Sequence, residues 1–182
     1  RVRSKKRRES VTGLMDDLVK VFLLVFLILR PFVVQAFWIP SGSMESTLEI
    51  GDRLFITKFT YLVEEPEYGD IVVFASPERA GEHGQEFIKR VVGLPGDRIK
   101  IERGTLYRNG EPVEEEYLKE EMRGRYPPEG GVVEVPPEHV FVMGDNRNHS
   151  RDSRSWGPLP ENRLLGKAWV RFYPLSRMGL VR

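Results

Sequence analysis

From Leu18 to Ile39 the chain reads LVKVFLLVFLILRPFVVQAFWI, 22 residues whose only charges are Lys20 and Arg30. As a helix rising about 1.5 Å per residue, such a run reaches across a hydrocarbon core of about 30 Å. A buried core helix is the alternative. Against it, Val21 to Leu29 is apolar on every side and leaves no polar stripe of the kind a surface helix of so small a protein needs. The run is therefore read as a membrane anchor over residues 17–39, with Pro31 ending or kinking the helix and Arg30 snorkelling to an interface.

The charges around this run set an orientation. The first ten residues, RVRSKKRRES, carry six Lys/Arg and one Glu, a local +5 in a chain of net +1, so the remainder carries −4. A basic cluster before an apolar helix places residues 1–16 in the cytoplasm and residues 40–182 outside. A nucleic-acid arm is the rival account of the cluster, and beside a spanning helix no nucleic-acid partner is expected. A cleavable signal peptide is a second rival, because Val34-Gln35-Ala36 follows the apolar run as small residues precede a cleavage point.

Beyond residue 50, short apolar runs separated by turn residues indicate strands. They fall at 52–59, 70–76, 86–94, 97–102, 105–110, 131–135, 139–145 and 166–174. The expected fold is mainly β, a partly closed barrel or coiled antiparallel sheets, preceded by one transmembrane helix. The acidic stretch EEEYLKEEM, 114–122, has some helical period, but Pro and Gly bracket it, and a solvated surface insertion is expected there.

Several chemistries are absent from the text. With no cysteine there is no disulfide, zinc–thiolate site, iron–sulfur cluster or cysteine nucleophile. GxSxG, HExxH, a Walker loop and GxGxxG do not occur, and neither a metal nor a cofactor is expected. His83, His139 and His149 are scattered, although a Ser-His-Asp triad is compatible with any spacing. Two stretches carry more. In PSGSM, Pro40 keeps the chain extended and Gly42 permits a sharp turn, so Ser41 and Ser43 lie on a constrained loop. In EFIKRVV, strand alternation puts Phe87, Lys89 and Val91 on one face and Ile88, Arg90 and Val92 on the other. A lysine between Phe and Val is a candidate for desolvation, and an edge-strand lysine that snorkels is the bland alternative.

Three stretches in this order, IPSGSMESTL, FIKRVVGLPGD and GDNRNHSRDSRSWG, following an apolar helix, resemble the boxes of type I signal peptidase, the bacterial leader peptidase of the Ser-Lys dyad class. The resemblance implies a membrane-bound serine endopeptidase that removes signal peptides from exported pre-proteins, cleaving after Ala-x-Ala. Its partners would be those pre-proteins and membrane lipids, and the enzyme would be a monomer in the cell membrane. It implies Ser43 as nucleophile, Lys89 as general base, and Ser41 with the Ser43 backbone N–H as oxyanion hole. Ser150 would orient the lysine, Asp145 would partner Arg90, and Asp152 with Arg154 would form a structural ion pair. Phe37, Ile39, Met44, Leu48, Phe87 and Ile88 would line pockets for small side chains. The sequence departs from the pattern at Ser46, where proline is usual, and at Asn148 and His149. A second β-domain would be reduced to an insertion over 108–139. The alternatives are the related self-cleaving repressor peptidases and an inactive membrane-anchored binding module.

The chemistry requires a neutral Lys89. A free lysine has a pKa near 10.4, so neutralising it at pH 7 costs about 4.6 kcal/mol. Burial lowers a lysine pKa by up to about 3–5 pH units, which is sufficient.

Overall fold

Short runs of Val, Ile and Phe, bounded by Gly, Pro and Asp, become strands because branched and aromatic side chains pack well on a pleated surface. The computed structural model describes residues 13, 15–24, 26, 34–81 and 84–181. Its strands are β1 (Val34–Trp38), β2 (Arg53–Thr57), β3 (Ile71–Ala75), β4 (Glu86–Gly93), β5 (Arg98–Glu102) and β6 (Thr105–Arg108). They continue as β7 (Glu111–Pro112), β8 (Val133–Glu134), β9 (His139–Met143), β10 (Leu159–Pro160), β11 (Leu164–Tyr173) and β12 (Gly179–Leu180). The fold is mainly β; a strand lies within seven of the eight runs picked from the sequence, and β11 overlaps the eighth, starting earlier at Leu164.

All pairings are antiparallel. The larger sheet runs β1-β2-β11-β3-β4-β9-β10, with β12 added to β11, and the smaller runs β7-β6-β5-β8. No pairing joins β1 to β10 among the described residues, so the larger sheet is open rather than a closed barrel. Three apolar clusters fill the interior. One holds Ile39, Met44, Leu48, Leu54 and Ile56, and a second holds Val72, Phe74, Val91, Val142 and Trp156. The third, under the smaller sheet, joins Ile99, Ile101 and Leu106 to Val92, Phe141 and Met143, residues of strands in the larger sheet.

The structure changes two expectations. The apolar run does not stay helical to Ile39: residues 15–24 are helical, whereas Val34–Trp38 is β1, paired with β2 from Val34↔Thr57 to Trp38↔Arg53. Past Pro31 the text is Phe-Val-Val, Gln, Ala, Phe, Trp, Ile, a composition that suits an edge strand with its inward face on the core. No helix among the described residues is long and apolar enough to cross a membrane. The basic cluster of residues 1–10, together with Arg30 and Pro31, lies outside the described residues. The second change concerns 114–122, which is irregular but not wholly solvated, since Met122 is buried and the Glu115 side chain is only 4% exposed.

The smaller sheet hangs from Asp97, at the turn between β4 and β5. Its carboxylate accepts from the Leu94 N–H at 2.8 Å, Arg108 Nε at 2.6 Å and Asn109 Nδ2 at 2.7 Å. Burial alone would raise its pKa, but these donors outweigh burial and hold it below the ordinary 3.8. A carboxylate depressed on folding adds stability above its unfolded pKa and loses it as pH falls through the folded one. Asp97→Asn should therefore be less stable than the wild type at neutral pH. The gap should close below about pH 3.8, as read by chemical denaturation of the full chain in detergent at each pH.

Candidate active site

Lys89 sits mid-strand on β4, paired with Val72 of β3. Alternation along β4 turns it to the side of Phe87 and Val91, and its Nζ lies 5.6 Å from the Phe87 ring centroid. The residue is 4% exposed. Its amine donates to Ser43 Oγ at 2.6 Å and to the Ile88 carbonyl at 2.8 Å. Two residues 46 apart in sequence are thus in direct contact, and Ser43 is only 9% exposed.

Ser43 reaches this place through the chain that leaves β1. The Ile39 N–H donates to Asp52 and the Gly51 N–H to Ile39, both at 2.9 Å, which fixes the exit of the strand. Ser41 is extended, and a 3-10 turn, Gly42–Met44, follows. Residues 44–47 then make a tight turn closed by Thr47 N–H on the Met44 carbonyl at 3.1 Å. Its third residue, Ser46, has φ +88, a left-handed conformation that proline cannot adopt.

The opposite wall is the loop after β9. Asn146 donates its N–H to the Ser43 carbonyl at 3.1 Å and its Nδ2 to the Gly42 carbonyl at 3.0 Å. At Gly144 a Cβ would stand 2.4 Å from the Ser43 carbonyl oxygen and 2.2 Å from Ser150 Oγ, so only glycine lets the two walls close. Asp145 forks Arg90, with Nε to Oδ1 at 2.9 Å and Nη2 to Oδ2 at 2.8 Å, and both side chains are buried. Thr47 Oγ1 adds a 2.6 Å bond to Asp145. Asp152 forks Arg154 at 2.8 Å twice and accepts the Gly144 N–H at 3.1 Å.

These walls enclose a cleft of about 510 Å³ lined by Ser41, Gly42, Ser43, Glu45, Ile50, Phe87, Lys89, Asn146, His149 and Arg151. Ser41 and Ser43 share it with Lys89. Of the six residues expected to line substrate pockets, Phe87 faces the cleft. Phe37, Ile39, Met44, Leu48 and Ile88 are packed in the first core cluster. Ser150 Oγ is buried and makes no hydrogen bond, so the expected bond to Lys89 is not formed. His83 lies outside the described residues, and His139 Nδ1 is 2.8 Å from the Pro137 carbonyl. No cluster of three acidic or histidine side chains among the described residues is placed to hold a metal.

Sequence reasoning missed Thr47, Asn146 and Arg171, whose Nη1 donates to the Thr47 carbonyl at 2.9 Å. Thr47 and Asn146 stand inside quoted stretches, but nothing in their spacing marks them as braces. Arg171, on β11, gives no signal at all.

Residues 14–173 match the family model described as signal peptidase, peptidase S26. The chain belongs to this family. It is a peptidase. "Probable signal peptidase I-1" of Synechocystis sp. is 46% identical over 166 residues, 89% of this signal peptidase and 83% of that relative. "Signal peptidase I" of Leptolyngbya laminosa is 41% identical over 172 residues, 91% of this chain and 83% of that one. A crystal structure of a signal peptidase I from Enterococcus faecalis V583 is 31% identical, with TM-score 0.49, over 58% of this chain and 97% of that chain.

Removing one partner of a buried ion pair strands the other charge, which costs about 3–5 kcal/mol. Asp145→Ala in this signal peptidase should therefore lower unfolding free energy by that amount, measured by chemical denaturation, because Arg90 is left buried against no carboxylate.

Proposed function

We propose that this signal peptidase removes N-terminal signal peptides from exported pre-proteins, with Ser43 as nucleophile and Lys89 as general base. The observation that carries it is the 2.6 Å contact between the Lys89 amine and the Ser43 hydroxyl, both buried. Burial among Phe87, Val91 and the strand backbone disfavours the ammonium, so the neutral amine is accessible to the reaction. Nζ takes the Ser43 proton as Oγ attacks the scissile carbonyl. The developing oxyanion is stabilised by the Ser43 N–H, at the open start of a 3-10 turn, and by the Ser41 hydroxyl. The C–N bond then breaks, Lys89 gives its proton to the leaving amine, and water activated by Lys89 hydrolyses the acyl-serine. Phe87 and the neighbouring apolar side chains favour small residues at the cut, as in Ala-x-Ala.

The domain division follows the same logic. Residues 1–16 form a cytoplasmic tail, the apolar run before β1 carries the anchor, and the peptidase domain outside the membrane runs from β1 at Val34 to residue 182, with the insertion at 108–139. Trp38 and Trp169, 58% and 50% exposed, suit contact with lipid headgroups. The enzyme works as a monomer without a cofactor.

Cleavage of a fluorogenic pre-protein peptide bearing Ala at −1 and −3 tests the chemistry. Ser43→Ala, Lys89→Ala and Lys89→Arg in detergent should each lose at least about 10³-fold in kcat, the arginine because guanidinium does not deprotonate in this range. Turnover retained by Ser43→Ala would remove the assignment. The full chain should also stay in the membrane pellet after carbonate extraction; its release would argue against the anchor.

A further inference from the structure

The segment between β7 and β8 has no regular secondary structure over residues 113–123, yet it touches β4 beside Lys89 and the turn just after Ser43. The Tyr117 ring lies 4.0 Å from the guanidinium carbon of Arg90, the residue next to Lys89, and 5.8 Å from that of Arg147. Glu115 forks Arg147 through two 2.6 Å bonds and accepts the Tyr117 hydroxyl at 2.6 Å. Arg147 in turn donates Nε to the Gly144 carbonyl at 3.0 Å, in the loop whose Asn146 holds the Ser43 carbonyl. On the nucleophile side, Ser46 Oγ donates to the Tyr117 carbonyl. Asn148 clasps the far end of the segment, accepting the Arg123 N–H at 2.8 Å and donating to the Glu121 carbonyl at 3.0 Å.

We infer that residues 115–123 are a strap that sets the distance between Ser43 and Lys89, with Tyr117 and Glu115 as positioning residues for the cleavage reaction. The inference rests on the dyad assignment above. Two physical facts favour positioning over mere cohesion. First, Ser46 is held at φ +88, and a left-handed serine persists only where its surroundings fix it. Its hydroxyl bond to the strap is such a fixture, three residues from the nucleophile. Second, the Tyr117 ring contacts both the arginine beside Lys89 and the arginine beside Asn146, so it links the two walls of the cleft. Burial and the Glu115 charge raise the Tyr117 pKa, which keeps the phenol a donor to Glu115.

Steady-state kinetics on the same peptide, with thermal melts of each full-chain variant in detergent, test the strap. Misplacing a reacting group by about 1 Å can cost about 10²-fold. Tyr117→Leu should lower kcat by about 10- to 100-fold with little change in KM. Tyr117→Phe, which keeps the ring between the arginines, should recover most of that loss. Ser46→Ala removes only the hydroxyl bond and should lower kcat several-fold while the melting temperature stays well above the assay temperature. If Tyr117→Leu does not fold, Ser46→Ala alone decides, and wild-type kcat in Ser46→Ala would overturn the proposal. So would a Tyr117→Leu loss confined to KM or to the unfolded fraction. Failure of the dyad assignment shows separately, as cleavage by Ser43→Ala.

Discussion

Arg90 is a full positive charge placed where water scarcely reaches, and much of the cleft is arranged to meet it. A guanidinium moved out of water is tolerable only with a matched acceptor, and Asp145 supplies both oxygens while Gly69 gives a carbonyl at 2.9 Å. That fork ties β4 to the end of β9. Because Thr47 also bonds Asp145, it ties in the turn that carries Ser43. The period of a strand then does the rest. Turning Arg90 toward carboxylate and carbonyl sends its neighbour Lys89 to the opposite face, against Phe87 and Val91. One strand thereby holds two basic side chains in different surroundings, Arg90 forked by a carboxylate and Lys89 set against Ser43 and the Phe87 ring.

The close approach of the two walls depends on the same bracing. Gly144 has no side chain to keep the Ser43 carbonyl and Ser150 apart, and Asn146 bonds two successive carbonyls of the turn that carries Ser43. Buried polar groups left half satisfied would cost more than apolar ones. Here the Arg90, Arg147 and Arg154 side chains each find a carboxylate, so a polar layer can lie next to Ser43 and Lys89.

Much of the strand pattern was legible because alternating Val, Ile and Phe between turn residues has few other solutions. β1 was not, since its Val34, Phe37 and Trp38 continue a longer apolar run and period alone does not separate the end of a helix from an edge strand. The contact between Ser43 and Lys89 was legible from the resemblance, not from spacing: a separation of 46 positions carries no geometric information until β3 and β4 pair. The role of Glu115 and Tyr117 was hidden by their company. Five glutamates among 114–121 read as a solvated face, and only Arg147, 32 residues on, makes one of them a buried one.

The strand at 34–38 also bears on whether the enzyme would cut itself after Ala36, where the text resembles a cleavage point. A protease of this kind must lay its substrate out beside the serine, free of other pairing. Ala36 is instead paired with Phe55, in an unbroken register running from Val34↔Thr57 to Trp38↔Arg53. The next residues lead directly into the turn of Ser43, and Phe37 and Ile39 are buried in the core beside Met44. To present the bond after Ala36, β1 would have to leave β2 and pull those side chains into water. Burying an aromatic or branched side chain is worth about 1.5–3 kcal/mol, so withdrawing two opposes the motion by several kcal/mol before any ladder bond is counted. Moreover, the movement would displace the turn of Ser43, the nucleophile proposed above. In the folded domain the bond after Ala36 is protected by the strand that delivers Ser43.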